Sequence, residues 1–309
     1  MSKVSVVVSV YSKDRLRYLL GCIYSLRRQS VKPFEVIVVL DPDPDLIGFY
    51  RSRLSGDVKV VVSDGFGLSN ARNAGVRNAR ADVVAFIDDD AVADVNWLEN
   101  LVKNYEDSMV VGVGGLIKPL WENGPPAWFP EELNWVVGCS YKGLPESRAY
   151  VRNPIGCNMS FRKSVFEKVG YFRSDVGRFG KKLLAGEEPE LSKRISEKML
   201  GSKIVYEPSA VVFHRVSRDR VGFRYLFERS FYEGVSKALI SGSKRFSSKM
   251  LSTEDEYLKY LLKVAVPSRL RRIYLIGNLC QLMVLLFSVF AVFSGFSIAK
   301  LTNTLAFGS

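Results

Sequence analysis

Residues 83–90, with the sequence VVAFIDDD, constrain the fold of this chain more than any other stretch. The five apolar residues 83–87 are too few for a helix and predict a strand that is buried on both faces. Three aspartates follow without a spacer, and each negative charge raises the cost of ionising the next. A hard divalent cation, which binds carboxylate oxygens together with substrate phosphates, would offset that cost. The alternative is a solvated acidic turn or helix N-terminus, where aspartate is also favoured.

Strands and helices alternate through the first half of the chain. Apolar periodicity predicts them at residues 4–10, 15–29, 35–40, 58–62 and 69–79. This alternation is typical of an α/β fold, in which a mainly parallel sheet is covered by helices on both faces. Asp41, Asp64 and Asp88 each follow one of the predicted strands. Because α/β sheets bind ligands beyond the carboxyl ends of their strands, the three aspartates predict an acidic binding edge.

The second half contains a long aperiodic segment, residues 121–147, with three tryptophans and four prolines. Loops of this length are uncommon unless they are functional. Trp121 and Trp128 in such a loop would suit sugar rings or lipid-linked acceptors, and they could equally form a local aromatic cluster. Further strands and helices are predicted at residues 97–105, 110–113, 155–162, 164–169, 186–200, 204–206 and 210–213.

Two polar features stand at the ends of predicted elements in this half. His214 is the only histidine, and it follows the apolar residues 210–213. A lone histidine is usually structural, but its place at a strand end favours a role in the site. Glu187 and Glu188 fall in the first turn of a predicted helix, where the helix dipole stabilises negative charge.

The formal charge of +12 indicates anionic partners: nucleic acid, a membrane surface or phosphorylated substrates. The basic residues are spread along the chain and form no known nucleic-acid module, so we expect no nucleic-acid partner. The four cysteines lie far apart in mostly apolar settings and show no metal-type pairing, which is typical of a reducing compartment.

Residues 273–299 contain no charged side chain and exceed the roughly 20 apolar residues that cross a bilayer. They predict a single membrane-spanning helix, with a buried core helix as the alternative. Arg269, Arg271 and Arg272 precede this run, whereas only Lys300 follows it, so the positive-inside rule places the larger N-terminal part in the cytoplasm. We therefore expect a catalytic domain at residues 1–240, a basic membrane-proximal helical segment at 241–272 and the membrane helix at 273–299.

Five segments occur in the order that family 2 glycosyltransferases show: residues 4–10, 67–75, 88–90, 156–162 and 186–188. Over about residues 3–235 the chain resembles this family, whose members have the GT-A fold. Within the family it is most similar to archaeal enzymes that build lipid-linked sugars on dolichyl phosphate, including those that add glucuronic acid to dolichyl-phosphate-linked glucose.

The resemblance implies roles for individual residues. Ligands of Mn²⁺ or Mg²⁺ would be Asp88, Asp90 and His214, and the nucleotide would contact Asp41, Asp64, Asn70, Arg72 and Asp88. The general base would be Glu188 or, one residue earlier, Glu187, where the family usually has aspartate at the second position. The acceptor or the sugar would contact Asn158, Trp121 and Trp128.

The activity that the resemblance implies is inverting, metal-dependent transfer of a sugar from a nucleotide-sugar donor, with a UDP-sugar favoured. The acceptor would be a lipid-linked sugar or glycan at the cytoplasmic face of the cell membrane, in N-glycan or surface-glycan assembly. The Gln-x-x-Arg-Trp motif of processive synthases is absent after His214, which favours single addition. The alternative is a non-catalytic, membrane-associated protein that binds sugar nucleotides.

Overall fold

The computed structural model describes residues 2–54, 56–175, 183–241 and 252–306. Two compact units divide the chain. The sheet unit comprises Met1–Lys118, Pro145–Gly180 and Glu187–Arg215, and the helical unit comprises Pro119–Leu144, Lys181–Gly186 and Val216–Ser309. These units interleave along the sequence, whereas the predicted domains are consecutive. Within the predicted basic segment 241–272, residues 242–251 lie outside the described part of the chain.

Nine strands form one mixed sheet in the described residues, in the order β3-β2-β1-β4-β8-β6-β9-β5, with β7 paired to β9. Strands β1 to β4 are parallel neighbours, whereas β8 pairs antiparallel with both β4 and β6. The strands are β1 (Val4–Val10), β2 (Glu35–Leu40), β3 (Val58–Val62), β4 (Val83–Asp88), β5 (Ala91–Ala93), β6 (Val110–Trp121), β7 (Ala149–Tyr150), β8 (Asn158–Arg162) and β9 (Lys203–Val216). With helices packed on this sheet, the predicted α/β fold class is confirmed.

The α-helices of the sheet unit are α1 (Leu16–Arg27), α2 (Pro44–Arg51), α3 (Leu68–Asn78), α4 (Trp97–Val102), α5 (Lys163–Val169) and α6 (Glu187–Lys198). Sequence analysis predicted no element between residues 40 and 58 and so missed α2. In the structure Pro44 occupies the first helical turn, where its missing N–H costs nothing. The Asp43 carboxylate accepts a hydrogen bond from the Asp45 backbone N–H at 2.9 Å and so caps the helix.

One hydrophobic core cluster of the sheet unit lies between the central strands and α3, α5 and α6. Phe86, Phe161 and Phe166 are buried there, and Phe166 makes edge-on ring contacts with both of the others. Each of these buried phenylalanines contributes on the order of 3–5 kcal/mol relative to alanine. On the same face α3 lies close to β1: a Cβ added at Gly75 would be only 2.4 Å from Val7 Cγ1. This packing fixes the carboxyl ends of β1, β2 and β4.

Strand β9 is continuous over Lys203–Val216, although the sequence predicted two short strands, at residues 204–206 and 210–213. Burial alternates from Ala210 to Val216, so every second side chain points into the protein. This period places His214 on the buried face, opposite Ala91 of β5. The extra length of the strand therefore fixes the orientation of the imidazole.

The helical unit contains α7 (Phe223–Ser241), α8 (Ser252–Tyr260), α9 (Val266–Leu270) and α10 (Ile276–Ala306). In the described part of the chain one helix is long and apolar enough to cross a membrane, over Ile276–Thr302 with mean hydropathy 2.4. It begins three residues after the predicted start at 273. Helix α10 packs along α7, where Ser230 Oγ and Ser288 Oγ lie 2.7 Å apart.

One of the arginines that we expected to flank the membrane helix is engaged inside the protein. The Arg269 guanidinium donates to both carboxylate oxygens of Glu132, at 3.0 and 2.8 Å, and both side chains are largely buried. Arg271 and Arg272 remain exposed. The positive charge available before α10 is therefore smaller than the sequence suggested.

Candidate active site

A cluster of possible metal ligands lies where β4 ends. Asp88 is the last residue of β4 and is partly exposed, whereas Asp90 and His214 are buried. His214 Nε2 lies 3.3 Å from Asp90 Oδ1 and 3.8 Å from Asp88 Oδ2. The structure thus brings together the three residues predicted to bind the cation.

Cys157 belongs to the same cluster, although sequence analysis assigned it no role. One ligand atom each from Asp88, Cys157 and His214 lie within 4.8 Å of one another. The antiparallel pairing of β4 with β8 sets Ile87 opposite Asn158, so the preceding residue, Cys157, lies beside Asp88. Oxygen, nitrogen and sulfur are all donors that divalent metals accept, so this set of side chains fits a cation.

Asp89, the central aspartate of the triplet, has a structural partner. Arg15 donates from Nε to Asp89 Oδ2 at 2.6 Å, and its second nitrogen Nη2 lies 2.5 Å from Asp90 Oδ2. Burial raises the pKa of Asp89 to about 7, although the Arg15 cation acts in the opposite direction. Arg15 therefore compensates part of the acidic charge and holds Asp90 in place. The sequence carried no signal for this pair, which is separated by 74 residues.

A second cluster joins the start of α6 to α3. The Arg72 Nη1 atom lies 3.1 Å from Glu187 Oε1 and 3.0 Å from Glu188 Oε1, and all three side chains are nearly buried. Burial, followed by the charge of Glu187, raises the pKa of Glu188 to about 7, against the opposing effect of Arg72. The second oxygen of Glu187, Oε2, is buried without a hydrogen-bond partner. Glu188 is therefore poised to exchange a proton near neutral pH.

Gly156 is the position at which the two clusters adjoin. A Cβ added there would lie 2.0 Å from Glu188 Oε1 and 2.5 Å from Arg72 Nη2, so only glycine leaves room for the glutamate and the arginine. The next residue, Cys157, belongs to the group of possible metal ligands. The negative charge of Asp88 also stabilises the Arg72 cation. Metal-type ligands and a titratable glutamate therefore lie within one neighbourhood.

The residues predicted to bind the nucleotide lie in different environments. Asp41 is half-buried and accepts a hydrogen bond from the Gly67 backbone N–H, and burial raises its pKa. Asp64 is exposed and pairs with Arg77. Asn70 donates from Nδ2 to the Phe66 carbonyl at 2.9 Å. Asp41 and Asp64 thus stand at the predicted edge, whereas Arg72 is bound to the two glutamates.

Asn158 does not have the environment of a sugar ligand. Its side chain is fully buried, accepts from Trp97 Nε1 at 2.8 Å and donates to the carbonyls of Leu116 and Ala210. These bonds tie β8 to the neighbouring strands. The predicted contact with the acceptor or sugar is corrected, because the amide has its partners within the protein and no access to solvent.

Trp121 and Trp128 are part of an aromatic cluster in the helical unit. Both make edge-on contacts with Phe129, and Trp128 stacks on Phe223 with ring centroids 4.3 Å apart. Of the two interpretations that the sequence left open, the structure shows the local aromatic cluster. An acceptor role for either ring stays a prediction.

Known proteins resemble the chain at both the sequence and the structural level. Over 289 residues it is 35% identical to the glucosyl-dolichyl phosphate glucuronosyltransferase of Haloferax volcanii, covering 92% of this chain and 91% of that protein. The mannosyltransferase PcManGT of Pyrobaculum calidifontis, solved with GDP-Man and Mn²⁺, superposes with a TM-score of 0.56 at 17% identity, covering 100% of this chain and 76% of that one. GalNAc-T7, solved with UDP, GalNAc and Mn²⁺, superposes with a TM-score of 0.55 at 18% identity, covering 86% of this chain and 57% of that one.

At these low identities the two solved structures bear on the fold alone, which is the GT-A fold of glycosyltransferases. The enzyme class follows from the sequence comparisons. Residues 5–170 match the family model described as glycosyl transferase family 2, which covers more than half of the chain. Together with the Haloferax relative, this match shows that the chain is a glycosyltransferase and belongs to family 2.

Proposed function

We propose that the enzyme transfers a sugar, with inversion, from a nucleotide-sugar donor to a lipid-linked sugar or glycan acceptor. A UDP-sugar is the favoured donor. The name of the Haloferax relative makes glucuronic acid the first sugar to test and dolichyl-phosphate-linked glucose the first acceptor. The observation that carries the proposal is the adjacency of two clusters: possible metal ligands at Asp88, and a glutamate with a pKa near 7 at Glu188.

Asp88, Asp90 and His214 would hold the cation, and Asp41 and Asp64 would face the nucleoside. A bound Mn²⁺ or Mg²⁺ neutralises negative charge on a diphosphate leaving group. Arg15 keeps Asp90 oriented toward His214, since its guanidinium contacts the other Asp90 oxygen. The carboxylate of Asp88 is partly exposed, so one of these ligands is accessible from solvent.

Glu188 is the proposed general base. The acceptor hydroxyl oxygen attacks the anomeric carbon, and the bond from that carbon to the diphosphate oxygen breaks with its electron pair on the diphosphate. The hydroxyl proton passes to the Glu188 carboxylate. A pKa near 7 suits this role, because the group is ionised in half of the molecules at neutral pH and is still a competent proton acceptor. A single displacement inverts the anomeric configuration.

Membrane association would bring the enzyme to a lipid-linked acceptor. Helix α10 is the candidate for a membrane-spanning segment, and Arg271 and Arg272 before it carry exposed positive charge. By the positive-inside rule, these arginines support a cytoplasmic position for the catalytic part. N-glycan or surface-glycan assembly is the pathway class that fits such an acceptor.

The test is an assay of the full chain in detergent with UDP-glucuronic acid, Mn²⁺ and dolichyl-phosphate-linked glucose, followed by a panel of other UDP- and GDP-sugars. We expect sugar transfer, with the product anomeric configuration opposite to that of the donor by NMR. Retention would contradict the single displacement. Binding of donors without turnover on any of these acceptors would count against the proposed reaction.

A further inference from the structure

The cluster at the end of β4 contains one ligand that the family resemblance did not supply. Cys157 Sγ lies with a carboxylate oxygen of Asp88 and a ring nitrogen of His214 in a group within 4.8 Å. A cation with ligand bonds of about 2.0–2.3 Å holds its ligands roughly 3–4 Å apart. The three atoms are therefore near the spacing that a bound cation requires.

The backbone on both sides of Cys157 is fixed. Asn158 is anchored by hydrogen bonds to Trp97, Leu116 and Ala210, at 2.8–3.1 Å. Gly156 packs directly against the side chains of Glu188 and Arg72. Cys157 itself is 5% exposed. Because the residues on either side of Cys157 are held by these contacts, we expect the sulfur to stay close to the aspartate and the histidine.

We propose that Cys157 Sγ is a direct ligand of the divalent cation in this site, an inference that rests on the proposed metal-dependent function. Sulfur suits Zn²⁺, Cd²⁺ and Co²⁺ far better than Mg²⁺, which takes oxygen ligands almost exclusively. The site is therefore selective for sulfur-accepting divalent cations over Mg²⁺, and Cys157 is the residue that sets this selectivity. A cysteine that only filled space would leave the choice of metal unchanged.

Cobalt reports directly on a sulfur ligand, because thiolate-to-Co²⁺ charge transfer absorbs in the near ultraviolet. The experiment titrates the metal-free full chain in detergent with Co²⁺ and compares wild type with Cys157→Ala, Cys157→Ser and Cys280→Ser. Cys280 is an exposed thiol on α10 and serves as the matched control. We expect the band in wild type and in Cys280→Ser, and its loss in both Cys157 variants.

Calorimetry gives a second readout that is independent of activity. Cd²⁺ affinity should fall in Cys157→Ala by at least the ~10–100-fold that loss of an outer-shell partner costs. Cys157→Ser, which substitutes an oxygen for the sulfur, should bind Mg²⁺ no worse than wild type. Circular dichroism and thermal melting check that the variants are folded.

An unchanged Co²⁺ band or unchanged Cd²⁺ affinity in folded Cys157→Ala would overturn the inference. Such a result would leave the proposed function standing if the protein still transferred sugar with Mn²⁺ or Mg²⁺. Conversely, a charge-transfer band without sugar transfer under any metal would support the sulfur ligand and count against the reaction proposed above.

Discussion

The Arg72 guanidinium lies 3.0 Å from a carboxylate oxygen of Glu188, on a side chain that comes 116 residues later in the chain. The same nitrogen reaches Glu187, so one cation lies against two consecutive acids. A buried pair of carboxylates would otherwise be unstable in its doubly ionised form. Arg72 therefore allows Glu188 to remain a carboxylate at a pH where it can act as a base.

The first prediction concerns Glu188→Gln. This substitution keeps the size and hydrogen bonding of the side chain but removes proton acceptance, so transfer should fall by ~10²–10⁴-fold while donor affinity stays near wild type. Glu197→Gln, at an exposed position on the same helix, should leave both unchanged. Turnover and calorimetric donor affinity are measured for each variant. If Glu187→Gln lost the transfer activity and Glu188→Gln kept it, the base would move by one residue.

The pH dependence of transfer is a second prediction. A base must be ionised, so kcat should rise about tenfold per pH unit below a midpoint near 7 and level off above it. In Arg72→Lys the shorter side chain loses part of its contact with Glu188. The pH midpoint of kcat should therefore rise, by up to the ~1–3 units that a nearby opposite charge contributes to a pKa. Steady-state rates across pH 5–9 (about the range where histidine and such shifted acids titrate) measure both midpoints.

The ionisation of Glu188 also makes the free energy of unfolding depend on pH. Glu188 has a pKa raised from 4.5 to about 7 in the folded protein, so its contribution to stability is fully present below about pH 4.5. That contribution is lost as the pH rises through about 7, because the Glu188 carboxyl ionises more easily in the unfolded chain than in the folded protein. A Glu188→Gln protein should therefore lose less stability than wild type between pH 5 and 8 (roughly the interval between the two pKa values) in denaturant titrations.

Gly156→Ala tests the close approach between the two clusters. The added Cβ would lie 2.0 Å from Glu188 Oε1, so the glutamate, Arg72 or both must move. We expect a loss of transfer with smaller effects on thermal stability. Gly21→Ala is the matched control, since nothing lies within 4 Å of its added Cβ and the helical position should gain roughly 0.5–1 kcal/mol. Full activity in Gly156→Ala would show that the glutamate does not need this geometry.

Much of the sheet could be predicted because its strands are uninterrupted apolar runs. The bounds of β1, β2 and β3 agree with the predicted residues 4–10, 35–40 and 58–62. Helix α2 was missed because the signal for a break, Pro44, is also the signal for a first helical turn. The acidic end of β4 was also predictable as a site, because nothing in an apolar core explains three consecutive aspartates.

The partners of the site residues were not predictable from spacing. Arg15 and Arg72 contact acids 74 to 116 residues away, and only the folded topology brings them together. Cys157 lies beside Asp88 because β8 runs antiparallel to β4, a direction that sequence periodicity does not give. The family resemblance made Asn158 a candidate ligand, yet its hydrogen bonds stabilise the sheet.

Removal of the cation should weaken nucleotide binding. Asp88, Asp90 and the nearby Asp89 would repel a diphosphate unless a metal lies between them. We expect UDP to bind the full chain much more weakly in EDTA than in Mn²⁺, and Asp90→Asn to weaken binding in Mn²⁺. Asp82→Asn, an exposed position just before the other end of β4, is the control that should bind normally. Calorimetry with equal UDP affinity in EDTA and Mn²⁺ would remove the metal from the proposal.

The last prediction concerns the packing of α10. A Cβ at Gly234 would lie 1.9 Å from the Val292 carbonyl oxygen, and one at Gly295 would lie 2.0 Å from that of Phe231, so the two helix backbones touch at this crossing. Since α7 follows α10 so closely, the apolar helix acts as one member of a helix pair.

Two sets of substitutions check this pair. Gly234→Ala should destabilise the packing of α7 on α10, whereas Gly277→Ala, with nothing within 4 Å of the added Cβ, should be neutral or stabilising. The hydroxyls of Ser230 and Ser288 lie 2.7 Å apart, so Ser230→Cys combined with Ser288→Cys should cross-link readily on oxidation in a Cys280→Ser background. Gel mobility under oxidising and reducing conditions detects the bond, with each single substitution as its control. Efficient cross-linking in membranes would mean that α7 accompanies α10 there, whereas its absence in both detergent and membranes would show that the helices do not pair in the protein.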